Sequence, residues 1–256
     1  MKKLLFIFTL TALLHVNSSA EKNQEFPLIE ERVRFMPQWW WKERHQAIKN
    51  RADKKDISVL FVGDSITNMM FGKYPKGKSK AFPVWERIFG EKSEYNAANF
   101  GVSGCKIGNV LWQIDHNYGE NKPKVISLLI GTNNLHANKN TPEQVASGII
   151  QVVDRLRQWS PNSVILVHKI LPRDDFKVSK VKKETVDKAN SLLKPLKQYK
   201  QVEIVDLTSV FRNEKGEFQP QFYDKDRLHL NKEGYKKWFA LLEPMVARYC
   251  QEGDAR

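Results

Sequence analysis

Asp226, Arg227, Leu228, His229 and Leu230 follow one another late in the chain. A carboxylate three residues ahead of a histidine lies about one turn away, so Asp226 can hold the imidazole in one tautomer and steady its charged form. Among the six histidines this is the one so placed. His45, His116 and His136 lack an equivalent carboxylate, His15 falls in an N-terminal leader, and His168 ends an apolar run and reads as a core or rim residue. Such a base serves a hydroxyl nucleophile. Ser65 fits, because in Val62-Gly63-Asp64-Ser65 an apolar run ends, Gly63 permits a tight turn, and Ser65 opens the next segment. Taken alone, Gly-Asp-Ser suits a helix cap equally well. Acyl transfer also needs N–H donors aimed at a developing oxyanion. The Ser65 amide, the Gly101 amide and the Asn133 side chain are candidates, although glycine and asparagine at these places also suit plain turns.

Other chemistries fit less well. Gly72 to Ser79 satisfies GxxxxGK[ST] letter for letter, yet a phosphate loop must join a buried strand directly to a helix start. Here the preceding apolar run ends about ten residues earlier and Pro83 follows closely, so the segment reads as a lysine-rich loop. The GxSxG elbow of ordinary α/β-hydrolases is missing, since Gly101 leads into Val102-Ser103-Gly104-Cys105. Neither CxxC, HExxH nor an acidic calcium loop occurs, and no metal site is expected.

The segments that must hold these residues alternate. Strands are expected at Ile57 to Val62, Tyr95 to Asn99, Lys124 to Ile130, Ser163 to His168 and Val202 to Asp206. VISLLI and VILV are almost continuously apolar, as strands covered on both faces must be. Between them, Val145, Ala146, Ile149, Val152, Val153 and Leu156 recur at helical spacing after a Thr141-Pro142 start, and Tyr235, Trp238, Leu242, Met245 and Tyr249 form a last helical stripe. This pattern predicts one α/β domain, a doubly wound, flavodoxin-like, five-stranded parallel sheet with helices on both faces. Ligands of such sheets lie beyond the carboxyl ends of the strands. The polar, glycine-rich segments at Gly63, Gly101 and Gly131 fall at three of those ends.

Lys2 and Lys3, the apolar run Leu4 to Leu14 and the small residues Ser18 and Ala20 read as a secretory signal peptide over residues 1–20. The run falls short of the ~20 residues that span a bilayer. A secreted or periplasmic protein without stable membrane insertion is therefore expected, with an extension over 21–56 carrying Trp39, Trp40 and Trp41 and a domain over 57–250. The tryptophans suit either packing against the core or stacking on sugar rings. The 256 residues carry 42 Lys and Arg against 29 Asp and Glu, a net charge of +13 that favours anionic partners or simply solvates the surface. For an exported chain, acidic polysaccharide or an anionic envelope fits better than nucleic acid. Lys73, Lys76, Lys78 and Lys80 follow the run that delivers Ser65 and are candidates for a positive substrate rim. Cys105 and Cys250 are the only cysteines, and their spacing fixes no pairing.

Four blocks in this order, FVGDSIT, NFGVSG, IGTNN and DRLHL, resemble those of the SGNH, or GDSL, serine hydrolases, with spacing matched across about residues 57 to 247. NVLWQI, KPKVISLLIGTNN and ILPRDD resemble the branch related to the platelet-activating factor acetylhydrolase catalytic subunit, although Cys105-Lys106 stands where that branch commonly has an acid and a threonine. The resemblance implies Ser65 as nucleophile, His229 as base, Asp226 as its orienter, and Ser65, Gly101 and Asn133 as the oxyanion hole. Asp64, Asn99 and Asn134 take supporting places in the same blocks, and no cofactor is implied. Exported relatives of this organisation are often carbohydrate O-acetyl esterases. The expected activity is thus hydrolysis of short acyl esters, acetyl above all, on a small molecule or a polysaccharide. A lysophospholipase, thioesterase or phospholipid acetylhydrolase with the same triad, and an inactive binding module for anionic polysaccharide, are the alternatives.

Overall fold

The computed structural model describes residues 39–71, 81–90, 93–136 and 139–254. The expected leader, Lys73, Lys76, Lys78 and Lys80, and the phosphate-loop look-alike lie outside them. Strands β1 (Val59–Gly63), β2 (Ala97–Asn99), β3 (Val125–Leu129), β4 (Val164–His168) and β5 (Val202–Val205) form one parallel sheet in the order β2-β1-β3-β4-β5. This is the expected flavodoxin-like order. Strand bounds fall within two residues of those expected, because a ladder needs a hydrogen-bonded partner as well as apolar side chains.

Ten α-helices accompany the sheet among the described residues: α1 (Trp39–Ala52), α2 (Ser65–Phe71), α3 (Phe82–Phe89), α4 (Ile107–Asn117), α5 (Thr132–Leu135), α6 (Pro142–Trp159), α7 (Phe176–Ser179), α8 (Lys183–Ser191), α9 (Thr208–Phe211) and α10 (Lys232–Asp254). Every residue of β1 and β3 is buried, which is why their sequences are apolar on both faces. Alternation sends Leu60, Val62, Ile126, Leu128, Ile165 and Val167 to one face, where they meet α1, α4, α6 and α8. Val59, Phe61, Val125, Leu129 and Leu166 go to the other, against α2, α3 and α10. Removing a buried Leu side chain from such a core costs about 2–5 kcal/mol.

The helix signals act as expected. Thr141 and Gln144 form a reciprocal capping box at the start of α6, with Pro142 in the first turn. Asn231 Oδ1 accepts the Glu233 and Gly234 amides at 3.0 and 3.1 Å and so caps α10. Trp41 is packed rather than displayed: it is buried, 3.7 Å from the His45 ring centroid and 6.0 Å from that of Trp112. Trp41, Ile48 and Ala52 of α1 belong to the same core as α4 and α6. Cys105 is buried, Cys250 half-buried, and no disulfide joins them.

Three strand ends share one device. Asp64 Oδ1 accepts the Ile66 amide, Asn99 Oδ1 the Gly101 amide and Asp206 Oδ1 the Thr208 amide, each at 2.9 Å. A short polar side chain that bonds the backbone two residues on turns the chain sharply as it leaves the sheet. These turns, after β1, β2 and β5, gather the connecting loops at the carboxyl edge.

Candidate active site

Ser65 is the first residue of α2, directly beyond β1 and its Asp64 turn, and is only 8% exposed. Its Oγ lies 2.8 Å from His229 Nε2, and His229 Nδ1 lies 2.6 Å from Asp226 Oδ2. A carboxylate can only accept, so Nδ1 carries the proton and Nε2 is left to accept the Ser65 hydroxyl. The other carboxylate oxygen accepts the Leu228 and His229 amides at 3.0 and 2.9 Å. Burial works against the charge of Asp226, but the bonds from the His229 ring and from these two amides outweigh it and hold the carboxyl below its ordinary value. Arg227 adopts a positive φ of 57° between the two, and the Asp224 amide donates to the His229 carbonyl at 2.8 Å, closing the segment into a compact loop.

The nucleophile helix is anchored from two sides. Tyr235 of α10 donates its hydroxyl to the Ile66 carbonyl at 2.7 Å, and Asn99 donates its side-chain amide to the Thr67 carbonyl at 2.6 Å. Asp64 is fully buried, and among the described residues its Oδ2 has no partner. Burial pushes its carboxyl up to about 6, against the pull of the Ile66 amide and of the His229 and Arg173 charges.

One amide expected among the candidate donors is already engaged. The Gly101 amide is already committed to Asn99 Oδ1, and Gly101 is itself buried. Its glycine serves close approach: a Cβ there would stand 2.5 Å from the Asn68 nitrogen and 2.8 Å from Thr67 Cβ. Two amides of this loop, those of Ser103 and Gly104, donate to no described residue, and Gly104 is the exposed one of the two. Cys105 donates to the Val102 carbonyl at 3.1 Å, making a turn in which Gly104 takes a φ of 75°, stands exposed and donates to no described residue. On one side of Gly104, Ser103 Oγ accepts from Asn68 of α2 at 3.2 Å; on the other, the Cys105 carbonyl accepts from Asn133 Nδ2 at 3.0 Å. Gly104 therefore sits between the nucleophile helix and Asn133. One N–H of Asn133 goes to that carbonyl, leaving the second without a bond among the described residues. The Ser65 amide, at a helix start, is bonded to no described residue. Asn134 ties the same block together, accepting the Ile107 amide at 3.0 Å and donating to Asn140 at 3.1 Å.

Two arginines missed from the sequence hold these loops. Arg44 of α1 donates from Nε to the Gly101 carbonyl at 2.9 Å, and from Nη2 to the Asn99 carbonyl at 2.6 Å and to Asn99 Oδ1 at 3.2 Å. Burial lowers its guanidinium to about 10, and no carboxylate among the described residues pairs with it. Arg173, beyond β4, donates from Nη1 to the Thr132 carbonyl at 3.0 Å and hydroxyl at 2.8 Å, while its other nitrogens hold Asp175 at 2.7 and 2.6 Å. Thr132 precedes Asn133, so Arg173 fixes the asparagine block. Among the described residues no group of three or more His, Cys, Asp or Glu could hold a metal ion.

Known proteins resemble this chain in sequence and fold. Residues 61–237 match the GDSL-like lipase/acylhydrolase family. Platelet-activating factor acetylhydrolase IB subunit alpha2 of Rattus norvegicus is 32% identical over 215 residues, covering 83% of this chain and 86% of its own length. A GDSL-like lipase from Bacteroides thetaiotaomicron superposes with a TM-score of 0.63 at 16% identity, covering 81% of this chain and 98% of the other. A carbohydrate esterase family 3 protein from Talaromyces cellulolyticus does so with a TM-score of 0.52 at 17% identity, covering 76% and 98%. At those identities the structures speak for the fold, while the family match and the acetylhydrolase relative reach further: the chain belongs to the GDSL-like lipase/acylhydrolase family.

Proposed function

We propose that this acylhydrolase is a serine esterase that removes short acyl groups, acetyl first among them. One observation carries the reading: Asp226, His229 and Ser65 form an unbroken hydrogen-bonded chain beside two unengaged backbone amides. Ser65 Oγ attacks the ester carbonyl carbon as its proton passes to His229 Nε2, and Asp226 steadies the imidazolium. The oxyanion takes N–H bonds from Ser65, Gly104 and Asn133. When the C–O bond breaks, His229 returns the proton to the departing alcohol; water, deprotonated by the same nitrogen, then releases the carboxylic acid and restores Ser65.

As the carrier of the acetyl group we favour an O-acetylated carbohydrate outside the cytoplasm, on the expected leader and the basic charge. A lipid acetyl ester is the second reading, supported by the acetylhydrolase relatives. Rates on esters of rising chain length, on sugar acetates and on an acetylated phospholipid separate the two. Turnover of sugar acetates ahead of the lipid supports the first reading and the reverse supports the second. Hydrolysis confined to long acyl chains overturns both, and no turnover of any ester would make the chain a binding module.

A further inference from the structure

Three large apolar side chains stand exposed among the described residues, and two of them share one turn of helix. Phe176 is 45% and Val178 75% exposed, both on α7. This turn is pinned. The Val178 and Ser179 amides donate to the Asp175 carbonyl at 2.9 and 3.0 Å, the Lys180 amide donates to the Phe176 carbonyl at 2.9 Å, and Arg173 grips the Asp175 carboxylate through two bonds. On its inner side, buried Ser179 donates to Asp175 and accepts the amide of buried Val181. A slack loop would fold Phe176 and Val178 inward, whereas this one holds them out.

Charge surrounds them. Lys177, Lys180, Lys182 and Lys183 are all exposed, and Lys180 Nζ lies 5.9 Å from the centre of the Phe176 ring. The nearby acids are engaged, Asp174 with Arg227 and Asp175 with Arg173, leaving Glu184 as the exposed acid of the stretch. The position is also defined. Asp174 pairs with the residue next to Asp226, and Arg173 holds the residue next to Asn133. Phe176 follows Asp174 by two residues, at most ~7 Å of chain, so the turn stands at the same end of the sheet as Ser65.

We propose that α7 and its lysines are a docking surface for an anionic lipid layer, with Phe176 and Val178 entering among the acyl chains and the lysines meeting the phosphates. Charge complementarity selects an anionic partner. The apolar pair selects lipid over a polyanion in water, since a hydrated polysaccharide offers nothing for an aliphatic side chain to enter. Attachment of this kind is peripheral, and among the described residues no helix is long and apolar enough to cross a membrane. Docking would set where the protein works, not which ester it cuts, and it is independent of the esterase reading.

The test is co-sedimentation of the full-length chain carrying Ser65→Ala, so that turnover plays no part, with vesicles of phosphatidylcholine alone or mixed with phosphatidylglycerol. Binding to the anionic vesicles, weakened by salt, is expected. Phe176→Ser with Val178→Ser, and separately Lys177→Gln with Lys180→Gln, Lys182→Gln and Lys183→Gln, should each weaken it roughly tenfold or more. All variants share one N-terminus, so any binding by residues 1–20 cancels. With Ser65 restored, both sets should hydrolyse a water-soluble acetyl ester at the parental rate, which shows that they fold. Undiminished binding by the apolar variant, or equal capture by a soluble acidic polysaccharide that competes the vesicles away, would overturn the lipid surface. Parental binding by both variants would overturn the site.

Discussion

Among the described residues there are two serine–histidine hydrogen bonds of nearly equal length. Ser65 meets His229 at 2.8 Å beyond the sheet, and Ser127 meets His168 at 2.9 Å inside it. The second pair is sealed, 2% and 1% exposed, with His168 edge-on to Trp238 at 5.0 Å between ring centres. Its Nδ1 has no partner among the described residues, and burial pushes the ring down to about 3, so it stays neutral at any physiological pH. His229 has Asp226 behind it and unengaged amides beside its serine. A short serine–histidine contact is thus not what makes a nucleophile. Access, a carboxylate that can stabilise an imidazolium, and donors waiting for an oxyanion make the difference.

The sharpest way to break this comparison is to remove each hydroxyl in turn. Ser65→Ala should lower kcat on an acetyl ester by roughly 10⁴-fold or more and leave the folded state intact. Ser127→Ala should leave turnover within about threefold, yet cost about 1–3 kcal/mol of stability, since it strips the partner from a buried ring nitrogen. Equal rate losses at both positions would refute the distinction.

Next in size is the carboxylate that only one pair possesses. Asp226→Asn should cost roughly 10³–10⁴-fold in kcat, because the amide favours the wrong tautomer of His229 and cannot stabilise its cation. A loss under tenfold in steady-state assays would mean that the ring is held by something else.

The donors set the third contrast. Arg44→Ala removes three bonds from the loop that carries Gly104, and kcat should fall roughly tenfold through misplacement, with KM within about twofold. Added guanidinium should restore part of the rate. A change confined to thermal stability would make Arg44 a strut and nothing more.

The smallest effects concern pH. Turnover depends on neutral His229, since only that form accepts from Ser65. Stability should follow the buried ring instead. His168 titrates near 6.5 when unfolded and near 3 when folded, so the unfolded chain binds the extra proton between those values. Its contribution is complete above 6.5 and is lost as pH falls toward 3. In His168→Gln the acid loss should be shallower by about 1.4 kcal/mol per pH unit in that window, read from urea transitions. Asp64 has the opposite sign: raised from 3.8 to about 6, its contribution is complete below 3.8 and disappears as pH climbs through 6. Asp64→Asn should therefore stabilise the fold at neutral pH, by roughly 1–3 kcal/mol.

The strands were legible because burial on both faces demands uninterrupted apolar runs, and β1 and β3 obey it. The Asp226–His229 pairing was legible because its three-residue separation is local. The engagement of the Gly101 amide was not legible at that position, because a glycine's side-chain-free backbone says nothing about where the N–H points. The cue was two residues upstream, since Asn99 is placed to capture that amide in a side-chain turn. Arg44 offered no cue at all. It lies 55 residues from Asn99, on a helix rich in charged residues, and its type and spacing match those of an ordinary solvent-facing arginine.

Arg44 also has a bearing on solubility. β2 is one of the two edge strands, and because the Phe100 amide turns inward to the Phe61 carbonyl, alternation turns the Asn99 carbonyl outward, where Arg44 takes it. Further along the same edge, Arg51 bonds the Asn96 side chain. A bare sheet edge is a template on which another chain can add a strand, and charged side chains laid across it are a recognised deterrent. In α1 the protein carries its own edge guard, so a chain begun at Ile57, keeping every residue of the triad, would expose that edge and self-associate.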